Sequence, residues 1–217
     1  LNIEENIKAI IQKIPEDVKL VAVSKTKPLE DLEKAYEFGI RDFGENKVQE
    51  LIYKEEIFHK DVKWHLIGNL QTNKVKYIVN KVFLIHSLSS IKLLHKIESE
   101  FGKGKAIANV LIQINIGRED SKGGLLVEEL DEIIKEIEKC KFVKVKGLMA
   151  IIPKGEEESN RYYFKEMKNI FNKIKGQDYS NISMEILSMG MSKDFEVAIS
   201  EGANLVRIGE GIFGSRK

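Results

Sequence analysis

Apolar residues in this chain fall into short runs rich in Val, Ile and Leu, separated by longer stretches with helical spacing. The runs are Lys19–Lys25, Ile40–Glu45, Trp64–Asn69, Val82–Ser87, Asn109–Ile116, Val145–Ile151, Met184–Gly190 and Leu205–Glu210. Most are continuously apolar rather than alternating, the pattern of parallel strands covered on both faces. Between them, Leu29–Phe38 carries Leu29, Leu32, Ala35 and Tyr36 on one stripe. Leu125–Cys140 does the same with Leu130, Ile133, Ile134 and Ile137, and Ser159–Lys175 with Phe164, Met167, Ile170, Phe171 and Ile174. Each predicts an amphipathic helix. A further helix, about Asn2–Ile14, precedes the first strand and stops before Pro15. Eight strand–helix units in 217 residues predict a single (β/α)8 TIM barrel with an extra N-terminal helix. An open doubly wound sheet is the competing arrangement. No linker or composition shift divides the chain, so residues 1–217 are expected to form one domain.

Composition narrows the functions open to such a barrel. Lys and Arg number 35 against 34 Asp and Glu, a net charge of +1. That balance predicts no nucleic-acid partner, because neutralising phosphates takes a basic excess or stripe. No apolar run reaches 18 residues and no signal-like segment opens the chain, so no membrane association and a cytoplasmic location are expected. The lone cysteine, Cys140, allows no internal disulfide, and no His pair has zincin spacing. The 32% charged residues fit a well-solvated surface, and a monomer is expected.

Chemistry in a barrel of this kind belongs at the C-terminal ends of the strands. Polar residues gather there: Ser24 and Lys25, Glu45 and Asn46, Asn69 and Gln71, His86 and Ser87, Asn115, Ser188 and Ser192, Arg207 and Gly209. Alternation sends Val21, Val23 and Lys25 to one face. If that face is the interior, the Lys25 amine lies at the barrel mouth, where partial desolvation favours its neutral, nucleophilic form. A lysine that leaves the strand for solvent is the plainer alternative. The C-terminal LVRIGEGIFG contains Gly209, Gly211 and Gly214 in G-x-G-x-x-G spacing, but no strand and acidic residue follow, so a dinucleotide fold is excluded. What remains is a glycine turn opening a short helix, able to offer backbone N–H groups to an anion near Ser192. Arg207 lies within the last run, and a buried arginine there needs either a carboxylate partner or a ligand acceptor. His65 and His86 read as satisfied buried histidines. Trp64, Phe43 and Phe213 read as packing residues.

An interior amine at one end and an anion cup at the other suit a pyridoxal phosphate site, and at these residues the chain resembles a known family. VAVSKTKP (Val21–Pro28), FGENKVQE (Phe43–Glu50), WHLIGNLQTNK (Trp64–Lys74), HSL (His86–Leu88), SKGG (Ser121–Gly124), KGLMAI (Lys146–Ile151), LSMGMSKD (Leu187–Asp194) and VRIGEGIFGSR (Val206–Arg216) are similar to the pyridoxal phosphate homeostasis proteins, relatives of the alanine racemase barrel (fold type III). The segments keep the family order over nearly the whole chain. The resemblance implies that Lys25 carries pyridoxal 5'-phosphate as an internal aldimine. It implies that Ser192 and the backbone of Gly209 and Gly211 hold the phosphate, and that Arg207 faces the pyridine nitrogen. Asn46 and Ser188 match site-lining positions. Asn69, Lys47 and the Gly-Gly after Lys122 depart from residues frequent in the family, and none touches these anchors.

These implications lead to an expected function. An arginine opposite the pyridine nitrogen remains a donor, so the ring stays unprotonated and is a weak electron sink. Racemisation also needs a base on each face of the substrate. In the racemases one comes from a β-rich second domain, which the chain, stopping just past its glycine turn, is expected to lack. The expectation is therefore a non-enzymatic carrier in vitamin B6 homeostasis, passing its cofactor to pyridoxal-dependent apoenzymes. Lys27 is expected by alternation to lie on the other face of the strand and not to be the main anchor. The alternatives are a low-activity amino-acid racemase or other pyridoxal enzyme, and a phosphate-binding barrel enzyme without pyridoxal.

Overall fold

The computed structural model describes residues 2–215. All eight apolar runs become strands: β1 (Lys19–Val23), β2 (Asp42–Glu45), β3 (Lys63–Leu66), β4 (Leu84–Leu88), β5 (Ala108–Ile114), β6 (Val143–Ala150), β7 (Ile182–Ser188) and β8 (Leu205–Ile208). They pair in parallel in chain order, and β8 closes on β1 with Val21 opposite Arg207, giving a closed barrel. The open sheet is thereby excluded.

The helices are α1 (Ile3–Ile11), α2 (Leu29–Glu37), α3 (Val48–Ile57), α4 (Ile91–Lys103), α5 (Leu130–Ile137), α6 (Glu157–Lys175), α7 (Phe195–Ser200) and α8 (Glu210–Phe213). Between β3 and β4 the connection is only a 3₁₀ segment, Thr72–Tyr77. The helix expected from Leu125 starts later, at Leu130. Leu125 instead bridges to Ile114, and Gly124 before it holds a φ of +123° that no helix admits. Helix α1 begins on Asn2, whose side chain accepts from the Glu5 N–H, and ends short of Pro15.

Strand alternation divides the buried residues into two layers. Ala22, Phe43, Trp64, Leu66, Ile85, Val110, Leu148 and Val206 face outward and pack under the helices with Leu32, Leu51, Leu94 and Phe164. Each fully buried side chain of this size contributes about 1.5–3 kcal/mol. Inside the barrel, Leu84, Leu111 and Met149 form a separate small cluster with Ile151 and Ile186. The other interior positions are largely polar: His65, His86, Gln113, Ser188 and Arg207 are all buried. A half-apolar, half-polar lumen is not what stability alone would select, since each buried polar group must find a partner.

Candidate functional site

Lys25 lies two residues past β1. Val21 faces the lumen, because a Cβ on interior-facing Gly44 would sit 3.0 Å from its Cγ1. Lys25, half-buried, follows the end of β1 at the C-terminal mouth. The turn that carries it is fastened on both flanks. Ser24, 0% exposed, points outward beneath α3 and donates to Glu45 Oε1 at 2.6 Å. Lys54 Nζ reaches the Ser24 carbonyl, Glu45 Oε1 and Glu50 Oε1, each at 2.8 Å. Glu50 Oε1 also accepts from the Thr26 N–H at 2.6 Å. Thr26 holds a φ of +63°, a costly conformation for a β-branched residue. Burial pushes the Glu45 carboxyl up to about 7, against the pull of Lys54 and of the Ser24 hydroxyl. Glu45 Oε2 is buried with no hydrogen-bond partner. Ser24 and Glu45 thus do not line the mouth with Lys25; they brace its turn from outside.

Lys27 goes elsewhere, though not by strand alternation, which alone would return it to the face of Lys25. The strand ends at Val23 and the left-handed Thr26 redirects the chain. Lys27 Nζ then donates to the carbonyls of Phe213 at 2.9 Å and Gly214 at 3.2 Å. These are orphan acceptors at the C-terminal end of α8, where a cation is well placed.

The glycine turn sits beside this mouth. A Cβ on Gly209 would lie 3.1 Å from the Val23 carbonyl oxygen, so β1 and the start of α8 are in contact. Ser192, in the loop after β7, accepts from the Gly211 N–H at 3.1 Å. Ser192, Gly209 and Gly211 are therefore brought together as the sequence suggested. Helix α1 supports the same turn, with Asn6 Nδ2 donating to the Ile212 carbonyl at 2.9 Å. Asn46, just past β2, is packed by its backbone onto Gly68, where any Cβ would come within 2.3 Å of the Asn46 oxygen.

Arg207 enters the lumen from β8, 3% exposed. Nη1 donates to Ser188 Oγ at 2.5 Å and Nη2 to the Ala150 carbonyl at 2.9 Å. Burial lowers its pKa to about 10, with distant Asp194 opposing. Of the two partners the sequence left open, a hydrogen-bonded carboxylate is not the one found: both acceptors are neutral. Ser188 touches His86 Nδ1 at 3.0 Å, His86 Nε2 touches His65 Nδ1 at 2.9 Å, and His65 Nε2 touches Asp42 Oδ1 at 2.9 Å. Both histidines are thus satisfied and buried, and burial pushes both below the usual imidazole range, His86 the further.

The sequence did not reveal Asp42, Lys54 or the pairing of His65 with His86. Glu50 and Lys54 at i, i+4 on one helix were the one available signal; the histidine contact joins residues on neighbouring strands and has none. Among the described residues no group of three or more His, Cys, Asp and Glu is placed to hold a metal. No helix there is long and apolar enough to cross a membrane. The residues fit a phosphorylated aldehyde with a ring nitrogen: an amine, a glycine turn packed tightly on Val23 and Ile208 and hydrogen-bonded to Ser192, and a buried cation with neutral acceptors.

The whole chain is similar to proteins of one named family. A pyridoxal phosphate homeostasis protein of Aquifex aeolicus is 45% identical over 201 residues, 92% of this chain and 87% of its own. PipY of Synechococcus elongatus PCC7942, solved without and with PLP bound, superposes with TM-scores of 0.92 and 0.88 at 31% and 30% identity. In both comparisons 98% of this chain and 100% of PipY are covered. An alanine racemase of Clostridium difficile shares the fold alone, at 16% identity and a TM-score of 0.77, with 99% of this chain covering 57% of that one. The model of the alanine racemase N-terminal domain matches residues 1–217. With that barrel and those relatives, the chain belongs to the pyridoxal phosphate homeostasis family, built on the alanine racemase N-terminal fold.

Proposed function

We propose that this protein binds pyridoxal 5'-phosphate at the C-terminal mouth of its barrel and serves in intracellular vitamin B6 homeostasis as a carrier, not as an enzyme. One observation carries the reading: the end of β1 that bears Lys25 and the glycine turn after β8 share one rim, in contact through Val23 and Gly209 and tied by Lys27 to α8. Lys25 would hold the cofactor at its aldehyde carbon through Nζ, where the bound group would supply a reducible C=N bond with water as the other product. Ser192 and the N–H groups of Gly209 and Gly211 receive the phosphate. Arg207 faces the pyridine nitrogen, with Asn46 and Ser188 lining the site. Arg207 stays a donor there, which leaves the ring nitrogen unprotonated and the cofactor a poor electron sink. Lys25 would yield the cofactor to an incoming amine and keep its own Nζ as an amine. The barrel described over residues 2–215 carries every one of these groups.

The test is a visible spectrum of the protein with pyridoxal 5'-phosphate, then borohydride reduction and peptide mapping, in wild type and Lys25→Ala. The expected label falls on Lys25 and vanishes in the variant. A label of full yield elsewhere in Lys25→Ala would overturn the assignment. D-alanine formed from L-alanine by concentrated wild-type protein would favour a racemase instead.

A further inference from the structure

The polar half of the lumen has an order that binding alone does not demand. Its contacts run in one line: Arg207 on β8, Ser188 on β7, His86 on β4, His65 on β3 and Asp42 on β2. The line crosses the lumen between β4 and β7. It ends at the first residue of β2, at the N-terminal mouth opposite Lys25, where Lys19 and Lys63 lie near the Phe83 ring and Lys19 Nζ is 3.9 Å from Asp42.

Each end of the line has a single role. Arginine can only donate, and an ionised carboxylate can only accept. Ser188 Oγ accepts from Arg207 and, where His86 Nδ1 is bare, gives its own proton to that nitrogen. His86 must then carry its proton on Nε2 and donate to His65 Nδ1. His65 likewise carries its proton on Nε2 and donates to Asp42. With both imidazoles neutral, the state that burial favours, this one assignment satisfies all four contacts. A proton on His86 Nδ1 would instead take the second lone pair of Ser188 Oγ and turn the hydroxyl proton out of the line. The charged groups that bear on the pair are Asp42, Lys19 and Lys63 at the His65 end and Arg207 at the His86 end. The Asp42 carboxylate is held below its ordinary range by its contact with His65 and by the two lysines, although burial opposes this.

We infer that Asp42, His65, His86 and Ser188 form a one-way hydrogen-bond line that fixes the guanidinium of Arg207, which makes them positioning residues for the ring nitrogen of the bound cofactor. The inference rests on the binding reading above for its last step only. Ser188 held as an acceptor ties Nη1, and the Ala150 carbonyl ties Nη2, so the plane of the guanidinium is set before a ligand arrives. Were the line to reverse, Ser188 Oγ would accept from His86 as well as from Arg207, and its own proton would have no acceptor in the line.

Two measurements test this. Nitrogen-15 NMR of ligand-free protein reads the histidine tautomers without any cofactor. Both His65 and His86 are expected to show a protonated Nε2 and a bare Nδ1; a protonated Nδ1 on either ring overturns the line. Ring-labelled pyridoxal 5'-phosphate then reports the pyridine nitrogen in wild type, Asp42→Ala, Asp42→Asn and Ser188→Ala. The ring signal is expected to shift in Asp42→Ala and Ser188→Ala and to return in Asp42→Asn, whose amide oxygen still accepts. A loss of stability would lower Tm but leave that signal in place. An unchanged ring signal in both alanine variants overturns the positioning role. Failure of wild type to take the label at all would instead overturn the binding reading, and the positioning role with it, while the tautomers stand on their own result.

Discussion

Lys25 owes its place to neighbours that never enter the lumen. Ser24, Glu45, Glu50 and Lys54 fix the backbone on either side of it, and Thr26 is held left-handed by the same group. Glu45 makes this brace sensitive to pH. Its folded pKa of about 7 exceeds the ordinary 4.5, so the folded state binds the proton more tightly than the unfolded chain. The stability it adds is fully present below pH 4.5 and is lost as pH rises through about 7. The change is on the order of 3 kcal/mol. In Glu45→Gln that dependence is expected to disappear. Urea unfolding of both proteins across this range checks it: a constant difference between them would show that Lys54 fully neutralises the carboxylate.

At the level of elements, β6 bends where its pairing with β5 and β7 slips, between Val145 and Gly147. Gly147 has a φ of +149°, and a Cβ there would lie 1.8 Å from the Ile186 carbonyl oxygen. Gly147→Ala is expected to destabilise the protein by at least about 3 kcal/mol, since both backbone and neighbour must move. A smaller loss in chemical denaturation would mean that β7 yields there. The strands themselves were legible because a parallel strand buried on both faces must be apolar throughout, as in NVLIQINI. The helices α2 and α6 were legible from their stripes. The bulge was not, because KVKGLMAI reads as one continuous strand and nothing in it says where β7 will press. Nor was the late start of α5, because Leu125 fits a helical stripe as well as it fits a bridge to Ile114.

Across the whole molecule, the polar lumen sets the response to acid. His65 and His86 are neutral when folded, with pKa values below the 6.5 of an exposed imidazole. Their contribution is present above pH 6.5 and is lost as pH falls through their depressed folded values. Two histidines thus oppose one carboxyl, and stability is expected to decline toward acid. In Glu45→Gln the decline should be steeper, because the opposing slope has been removed. Thermal unfolding over the same range would decide it; parallel curves for the two proteins would refute the balance. Of the candidate site, the sequence brought forward Lys25, Ser192, Gly209 and Gly211, which lie in compact motifs at strand ends. It could not show the line that joins Arg207 to Asp42, whose successive members are separated by up to 102 positions in the chain.

The closure of β8 on β1 bears on synthesis as well. On the proposed reading the amine follows the first strand and the anion cup the last, with Lys27 and Phe213 separated by 186 positions yet in contact. A nascent chain would hold Lys25 early and gain Ser192, Gly209 and Gly211 only once β8 has been made. Products terminated before β8 would keep the lysine but lack the turn proposed to retain the phosphate, so the colour of the ligand would mark only chains synthesised past it.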